Sequence, residues 1–128
     1  VVLTGRSEGF IRGRPDMDET IRRLRAYAQA GAHCLYAPGL STREQITAVV
    51  QALAPRPVNI LVGSATDLTV ADLSGLGVRR TTLGGALARA AWGGFIRAAN
   101  LLAEDGSFQG LAEAAPARQI TSAFKTGD

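Results

Sequence analysis

Arg6 is the residue of this chain best suited to chemistry. It follows the apolar run Val1-Val2-Leu3-Thr4, with Gly5 before it and Ser7-Glu8 after it. Such a run reads as a strand, and in α/β folds ligand-binding groups collect where parallel strands end. A planar guanidinium fork at that place suits a carboxylate or a phosphate, because it donates two parallel hydrogen bonds to either. The competing reading is structural: an ion pair with Glu8 or with a neighbouring loop.

Gly63-Ser64 and Gly84-Gly85 follow the third and fourth expected strands. Backbone N–H groups at such turns, with a helix N-terminus behind them, bind phosphate in many barrels. Arg89, one turn into the helix after Gly84-Gly85, would add positive charge. Glycine pairs also make tight turns and bind nothing. Tyr36 closes the second run and either reaches the same edge or packs. Cys34 lies inside that run and reads as core. His33, the only histidine, stands at its start, on the side of such folds associated with stability. Asn59 lies inside the third run, where an interior hydrogen bond and a ligand contact are equally open. Asp16 and Asp18 read as helix-start residues, Asp67 as loop and Asp72 as a cap. No catalytic residue and no metal ligand is assigned within the chain.

The elements that position these residues recur about four times as a strand, a turn and a helix. The expected strands are Val1–Thr4, His33–Tyr36, Val58–Val62 and Arg79–Leu83. The runs read as apolar rather than alternating, as expected of parallel strands buried on both faces. Asp16 with Glu19 and Ser41 with Glu44 form capping boxes, and Thr69 with Asp72 starts a short third helix. Met17, Ile21, Leu24 and Ala28 share one face of the first helix, and Ile46, Val49, Val50 and Leu53 one face of the second. Gly31 and Gly77 stop the first and third helices, and Pro55 and Pro57 the second.

The fourth helix, from about Ala86 to Ala103, is apolar nearly all round and needs cover on more than one side. Gly93 and Gly94 within it cost roughly 1 kcal/mol each relative to Ala, which close approach by another helix would justify. Phe108, Leu111, Ile120 and Phe124 suggest a short, partly packed tail.

The fold class is therefore α/β, with about four parallel βα units and a long apolar last helix. A full (β/α)8 barrel takes about 250 residues, and this chain has 128. Regular βα repetition means either a doubly wound sheet or such a barrel; as a barrel, the chain is a single partial domain, residues 1–128, forming a half-barrel plus tail. Its two open strand edges invite pairing with another chain. The abrupt apolar start suits the later part of a longer protein.

Composition narrows the partners. The net charge is +3, and thirteen of the 14 cations are arginine, Lys125 being the exception. Acidic residues sit within two turns of the Arg22, Arg23 and Arg25 cluster, and aromatics are 5%, too few for stacking bases. No nucleic-acid partner is expected. No apolar stretch nears the roughly 20 residues of a membrane span, so no membrane partner is expected either. A single cysteine makes a reducing cytoplasm the default.

Taken in order, Gly5-Arg6-Ser7-Glu8, Arg12-Gly13-Arg14-Pro15, Cys34-Leu35-Tyr36-Ala37-Pro38-Gly39, Arg56-Pro57-Val58-Asn59 and Gly84-Gly85-Ala86-Leu87-Ala88-Arg89 resemble the C-terminal half of the isocitrate lyase/phosphoenolpyruvate mutase superfamily. The mutase-like branch, named for carboxyphosphonoenolpyruvate phosphonomutase and 2-methylisocitrate lyase, is the most similar. The resemblance implies the C-terminal half of a (β/α)8 TIM barrel, and a Mg2+-dependent lyase or phosphonomutase-like activity on a small anionic α-oxo acid. A C–C or C–P bond would break or form through an enolate. Arg6 matches the family's arginine for the substrate carboxylate or phosphonate. Arg89 matches a second arginine after the last strand, with Gly84 and Gly85 beside it. The resemblance also implies a homo-oligomer that exchanges its last barrel helix.

It places the Mg2+ ligands and the mobile catalytic-cysteine loop in the N-terminal half, outside this chain. Where the lyases carry a strand-end glutamate this chain has Pro38. Their strand-seven asparagine falls at Leu61, with Asn59 two residues early. Isocitrate or methylisocitrate cleavage is not expected, while decarboxylase, hydrolase and mutase activities stay open. The alternative is a non-catalytic half-barrel that binds anions or assembles with a partner chain, inactive when alone.

Overall fold

Strands β1 (Thr4–Arg6), β2 (Cys34–Tyr36), β3 (Val58–Leu61) and β4 (Arg80–Thr82) lie side by side in chain order, and every pair is parallel. The computed structural model describes residues 1–124; the last four residues of the 1–128 span, Lys125 among them, lie outside the described residues. Helices α1 (Met17–Gln29), α2 (Arg43–Leu53) and α3 (Val70–Gly75) connect the strands. This is the repeated βα pattern that the spacing of the apolar runs requires.

The sheet has two unlike faces. A Cβ built on Gly5 would lie 2.7 Å from Tyr27 Cβ and 3.2 Å from Ala32 Cβ, so β1 meets α1 through a glycine. Leu35 pairs in register with Val58, and both join Ile60, Leu24, Ile46 and Val49 in the core under the helices. Side chains alternate along a strand. The opposite, inner face therefore takes Thr4 and Arg6, Cys34 and Tyr36, Asn59 and Leu61, and Arg80 and Thr82.

Burial on both faces holds only for the central strands. β2 is buried throughout and β3 nearly so, whereas β1 and β4 are half-buried to exposed. They are the edges of the sheet and lack a neighbour on one side. Val1, Val2 and Leu3 are exposed, and β1 starts at Thr4 rather than at Val1. Pairing begins where the Leu3 carbonyl accepts from the N–H groups of His33 and Cys34. Arg6 is thus the last residue of the strand instead of the first beyond it.

The helix starts follow the cap chemistry with two corrections. Asp16 accepts from the Glu19 N–H at 2.9 Å, as expected. Glu19 does not return the bond, because its carboxylate is engaged by Arg22 and Arg23. The α2 cap is Thr42 with Gln45, one residue beyond Ser41 and Glu44. Gln45 Oε1 accepts from both the Ser41 and Thr42 N–H groups, which the carboxylate one residue earlier does not. Thr69 and Asp72 make the full reciprocal box at α3. After β2 the chain turns at Gly39 with φ +99°. A Cβ there would lie 2.8 Å from the Ile11 backbone nitrogen, so only glycine fits both the dihedral and the space.

The chain divides into two compact units, Val1–Ala86 and Leu87–Asp128. The second consists mainly of α4 (Ala86–Asp105), a turn at Gly106, a single 3-10 turn at Gln109–Leu111 and α5 (Ala117–Ala123). Gly110 packs on α4: a Cβ there would lie 2.7 Å from Ala98 Cα. Over Gly93 and Gly94 lies the Arg97 guanidinium, at 3.3 and 3.9 Å from the position of a Cβ. No residue of α4 is buried. The expected partial packing of Phe108, Leu111, Ile120 and Phe124 is not seen, and all four are exposed. The segment after Asp105 meets α4 through small residues, which leaves its large side chains outward.

Candidate functional site

The C-terminal edge of the sheet in the first unit gathers Arg6 from β1 with Ser7 and Glu8 just beyond it, Tyr36 from β2 and the turn Gly84-Gly85 after β4. Register fixes the first contact. Arg6 and Tyr36 are paired residues, and the Arg6 Cζ lies 4.8 Å from the centre of the Tyr36 ring. The ring is nearly buried and so gives the guanidinium a fixed face to rest on. Arg6 Nε and Nη2 both donate to the Glu8 carboxylate. That bond, with the charge of Glu8 behind it, raises the Arg6 pKa above its ordinary value.

The two readings of Arg6 meet in one geometry. The ion pair with Glu8 exists, but both side chains are about half exposed, 49% and 40%. Exposed pairs of this kind contribute little stability. The Nη1 end of the fork has no partner among the described residues, so Glu8 orients Arg6 without saturating it.

Gly84, with φ +54°, turns the chain directly beyond β4, and the Ala86 N–H already donates to the Leu83 carbonyl at 3.1 Å. Gly84 and Gly85 are exposed at the same edge of the sheet as Arg6. Gly63 and Ser64 follow β3 there. Arg89 stands on α4 in the second compact unit, and Arg6 belongs to the first.

Deeper on the inner face, one row of paired residues crosses the sheet: Arg6, Tyr36, Asn59 and Arg80. Asn59 is 1% exposed. Its Nδ2 donates to Thr82 Oγ1 at 3.1 Å, while its Oδ1 is buried with no hydrogen-bond partner. Of the two openings left for Asn59, the interior bond therefore accounts for half of the amide. Arg80 was not among the residues singled out from the sequence. The signal was present: alternation along β4 sets Arg80 and Thr82 on one face, opposite Thr81.

Cys34 is buried on the inner face. His33 Nδ1 accepts from the Leu3 N–H at 3.0 Å, which ties down the approach to β1. Beside β1, Ser7, Glu8, Arg14, Asp16, Glu19 and Arg23 line a cavity of about 280 Å3. Its carboxylates are engaged: Glu8 by Arg6, Glu19 by Arg22 and Arg23, and Asp16 by the α1 cap. Among the described residues no group of three or more His, Cys, Asp or Glu side chains is placed to hold a metal ion. No described helix is long and apolar enough to cross a membrane.

Comparison with known proteins gives this geometry a context. The family model described as phosphoenolpyruvate phosphomutase matches residues 1–103. A solved structure of a candidate lyase/mutase from Burkholderia cenocepacia J2315 is 45% identical and superposes with a TM-score of 0.90, over 99% of this chain and 46% of that one. A candidate phosphonomutase from the same organism is 32% identical, with a TM-score of 0.66 over 75% of this chain and 40% of that one. An oxaloacetate acetylhydrolase, solved with the inhibitor 3,3-difluorooxalacetate, is 26% identical, with a TM-score of 0.75 over 94% and 41%. No curated protein is similar enough to count as a match. The chain spans less than half the length of the solved structures it matches.

Proposed function

The chain belongs to the phosphoenolpyruvate phosphomutase family, whose α/β barrel its four parallel βα units reproduce in part, and from that premise we propose that it forms the anion-gripping side of a lyase or phosphonomutase-like active site. The observation that carries this is Arg6. It ends a strand, rests on a nearly buried Tyr36, is oriented by Glu8 and keeps its Nη1 end open. A carboxylate or phosphonate docked there receives charge-assisted hydrogen bonds from a preset fork. The substrate class proposed is a small α-oxo acid whose C–C or C–P bond is cleaved or formed through an enolate. The binding of a fluorinated oxaloacetate by a relative supports that class.

Mg2+ dependence is part of the proposal, but the described residues do not fit a Mg2+ site, because the carboxylates near Arg6 are committed to arginines and a helix cap. Its ligands would come from sequence outside this chain. What Arg6 and Tyr36 do is bind and orient. Gly84 and Gly85 present backbone at the same edge, and Arg89 is kept as a second arginine for the substrate. A cytoplasmic setting and a homo-oligomer that exchanges α4 complete the reading. The free Cys34 supports the first, and the exposed apolar residues of α4 support the second.

The test is turnover of oxaloacetate, methylisocitrate and phosphonopyruvate with Mg2+ by the protein that contains this chain. Arg6→Gln is expected to lower kcat/KM by about 100-fold, the scale of losing one transition-state donor. Unchanged turnover would remove Arg6 from its role. The second reading, a non-catalytic half-barrel that binds anions or assembles with a partner, is favoured by the open edges of β1 and β4. Tight Mg2+ binding by this chain alone, measured by calorimetry, would contradict it.

A further inference from the structure

The cavity of about 280 Å3 beside β1 plays no part in the reading of Arg6. Side chains alternate along β1. Arg6 faces the inner side of the sheet, so Ser7 turns back toward α1, as Gly5 does. There Ser7 is 4% exposed and Thr20 of α1 is 2% exposed, and both line the cavity. Gly9 closes one wall: a Cβ there would lie 3.0 Å from the Arg14 carbonyl oxygen and 3.8 Å from Thr20 Oγ1. The Arg14 N–H donates to the Gly9 carbonyl at 2.9 Å, which folds the loop so that Arg14 lines the same space.

Two independent gaps meet in this cavity. The first is in its hydrogen bonds. The hydroxyls of Ser7 and Thr20 have no partner among the described residues. A helical threonine can return its hydroxyl to the carbonyl one turn back, but here the Asp16 carbonyl takes the Thr20 N–H, at 3.1 Å. Buried hydroxyls are nearly always paired, and these two open onto one space.

The second gap is in its charges. Glu8 is paired with Arg6, and Glu19 with Arg22 and Arg23. That leaves one cation and one anion on the cavity wall, Arg14 and Asp16, and they do not pair with each other. Asp16 Oδ1 accepts from the Glu19 N–H, while Oδ2 is without a partner among the described residues. A bare anion bound here would leave Asp16 unanswered, and a bare cation would leave Arg14 so. The cavity is several times the roughly 30 Å3 that one water occupies.

We propose that this cavity binds a small zwitterion, an α-amino acid, whose carboxylate meets Arg14, Ser7 and Thr20 and whose ammonium meets Asp16. Arg14 and the two hydroxyls donate to the carboxylate oxygens, and Asp16 Oδ2 accepts from the ammonium. The site lies on the helix side of β1 and does not depend on the reading of Arg6.

The experiment measures, by calorimetry on the protein that contains this chain, the affinities of L-alanine, propionate and ethylamine. The last two each keep one of alanine's charges and lack the other. L-alanine should bind at least about tenfold more tightly than either, the scale of one hydrogen bond between charged groups. Asp16→Asn keeps the helix cap and removes the charge. It should bring L-alanine down to the level of propionate. Arg14→Gln should bring it down to the level of ethylamine. Thr20→Val removes an unpartnered hydroxyl, so it should weaken L-alanine binding while leaving the melting temperature in place. Arg6→Gln should leave the preference for L-alanine standing. No saturable binding of L-alanine, or propionate binding as tightly, overturns the site. So does a preference that survives both Asp16→Asn and Arg14→Gln, or one that Arg6→Gln removes, which would put the ligand on Arg6 instead.

Discussion

Helix α2 hides Ile46, Val49 and Leu53 against the sheet, whereas the longer α4 leaves Leu87, Trp92, Phe95 and Ile96 in the open. Both helices are rich in apolar residues. In α2 they recur on one face, and Gln45, Gln51 and Glu44 occupy the rest of the surface. In α4 they recur all round, with Arg89 and Arg97 as its only cations. A one-sided stripe can be satisfied within a single βα unit. A helix that is apolar all round cannot be satisfied from one side, and the first compact unit shows what satisfaction looks like.

The sharpest way to break the contrast is Ile46→Ala. Ile46 is 1% exposed in the core, and removing its side chain should cost about 2–5 kcal/mol by denaturant unfolding. A loss below 1 kcal/mol would mean that the packing of α2 is not what holds the unit. Thr69→Ala comes next. The hydroxyl accepts from the Asp72 N–H at 3.1 Å, and its loss should cost about 1 kcal/mol.

Acid titration is a milder probe of the same unit. Hydrogen bonds from Arg22 and then Arg23 lower the Glu19 pKa to about 2. Its folded pKa lies below its unfolded one, so the stability it contributes is present above the unfolded value of about 4.3 and fades as pH falls toward about 2. Thr69, and then Arg43, depress Asp72 in the same direction. Glu19→Gln should flatten the acid limb of a melting-temperature profile, while an unchanged limb would assign the acid sensitivity elsewhere. The smallest effect is expected in α4. Trp92 meets Phe95 edge-on at 5.5 Å and is otherwise exposed, so Trp92→Ala should change the stability of the chain by about 0.5 kcal/mol. A loss several times larger would show that the apolar face of α4 is covered in solution.

The same contrast explains what could be read in advance. The buried runs around Leu35 and Ile60 and the caps at Asp16 and Thr69 were legible, because each rests on residues close in sequence. The start of β1 was misplaced, because Val1-Val2-Leu3 reads as apolar wherever it lies and only the sheet reveals that it has no neighbour. The α2 cap slipped by one, because Ser41 with Glu44 and Thr42 with Gln45 satisfy the same spacing. Arg6 stood out by its position at the end of a strand. Arg80 did not, because its meaning comes from Thr4 across the sheet, a contact between residues with almost the whole first unit between them. The unsatisfied side of Asn59 likewise emerges only once β3 is laid beside β4.

The strand order β1-β2-β3-β4 has a kinetic consequence. Each strand pairs with its successor in the chain, so no pairing waits for a distant segment to arrive. Thr4 meets Cys34, Leu35 meets Val58 and Asn59 meets Arg80 through connections of similar length. Loop-closure entropy grows only with the logarithm of length, so the three closures cost nearly the same. Such a sheet can nucleate at any adjacent pair and grow outward, one βα unit at a time, each step waiting for a crossover of about 20–30 residues to close.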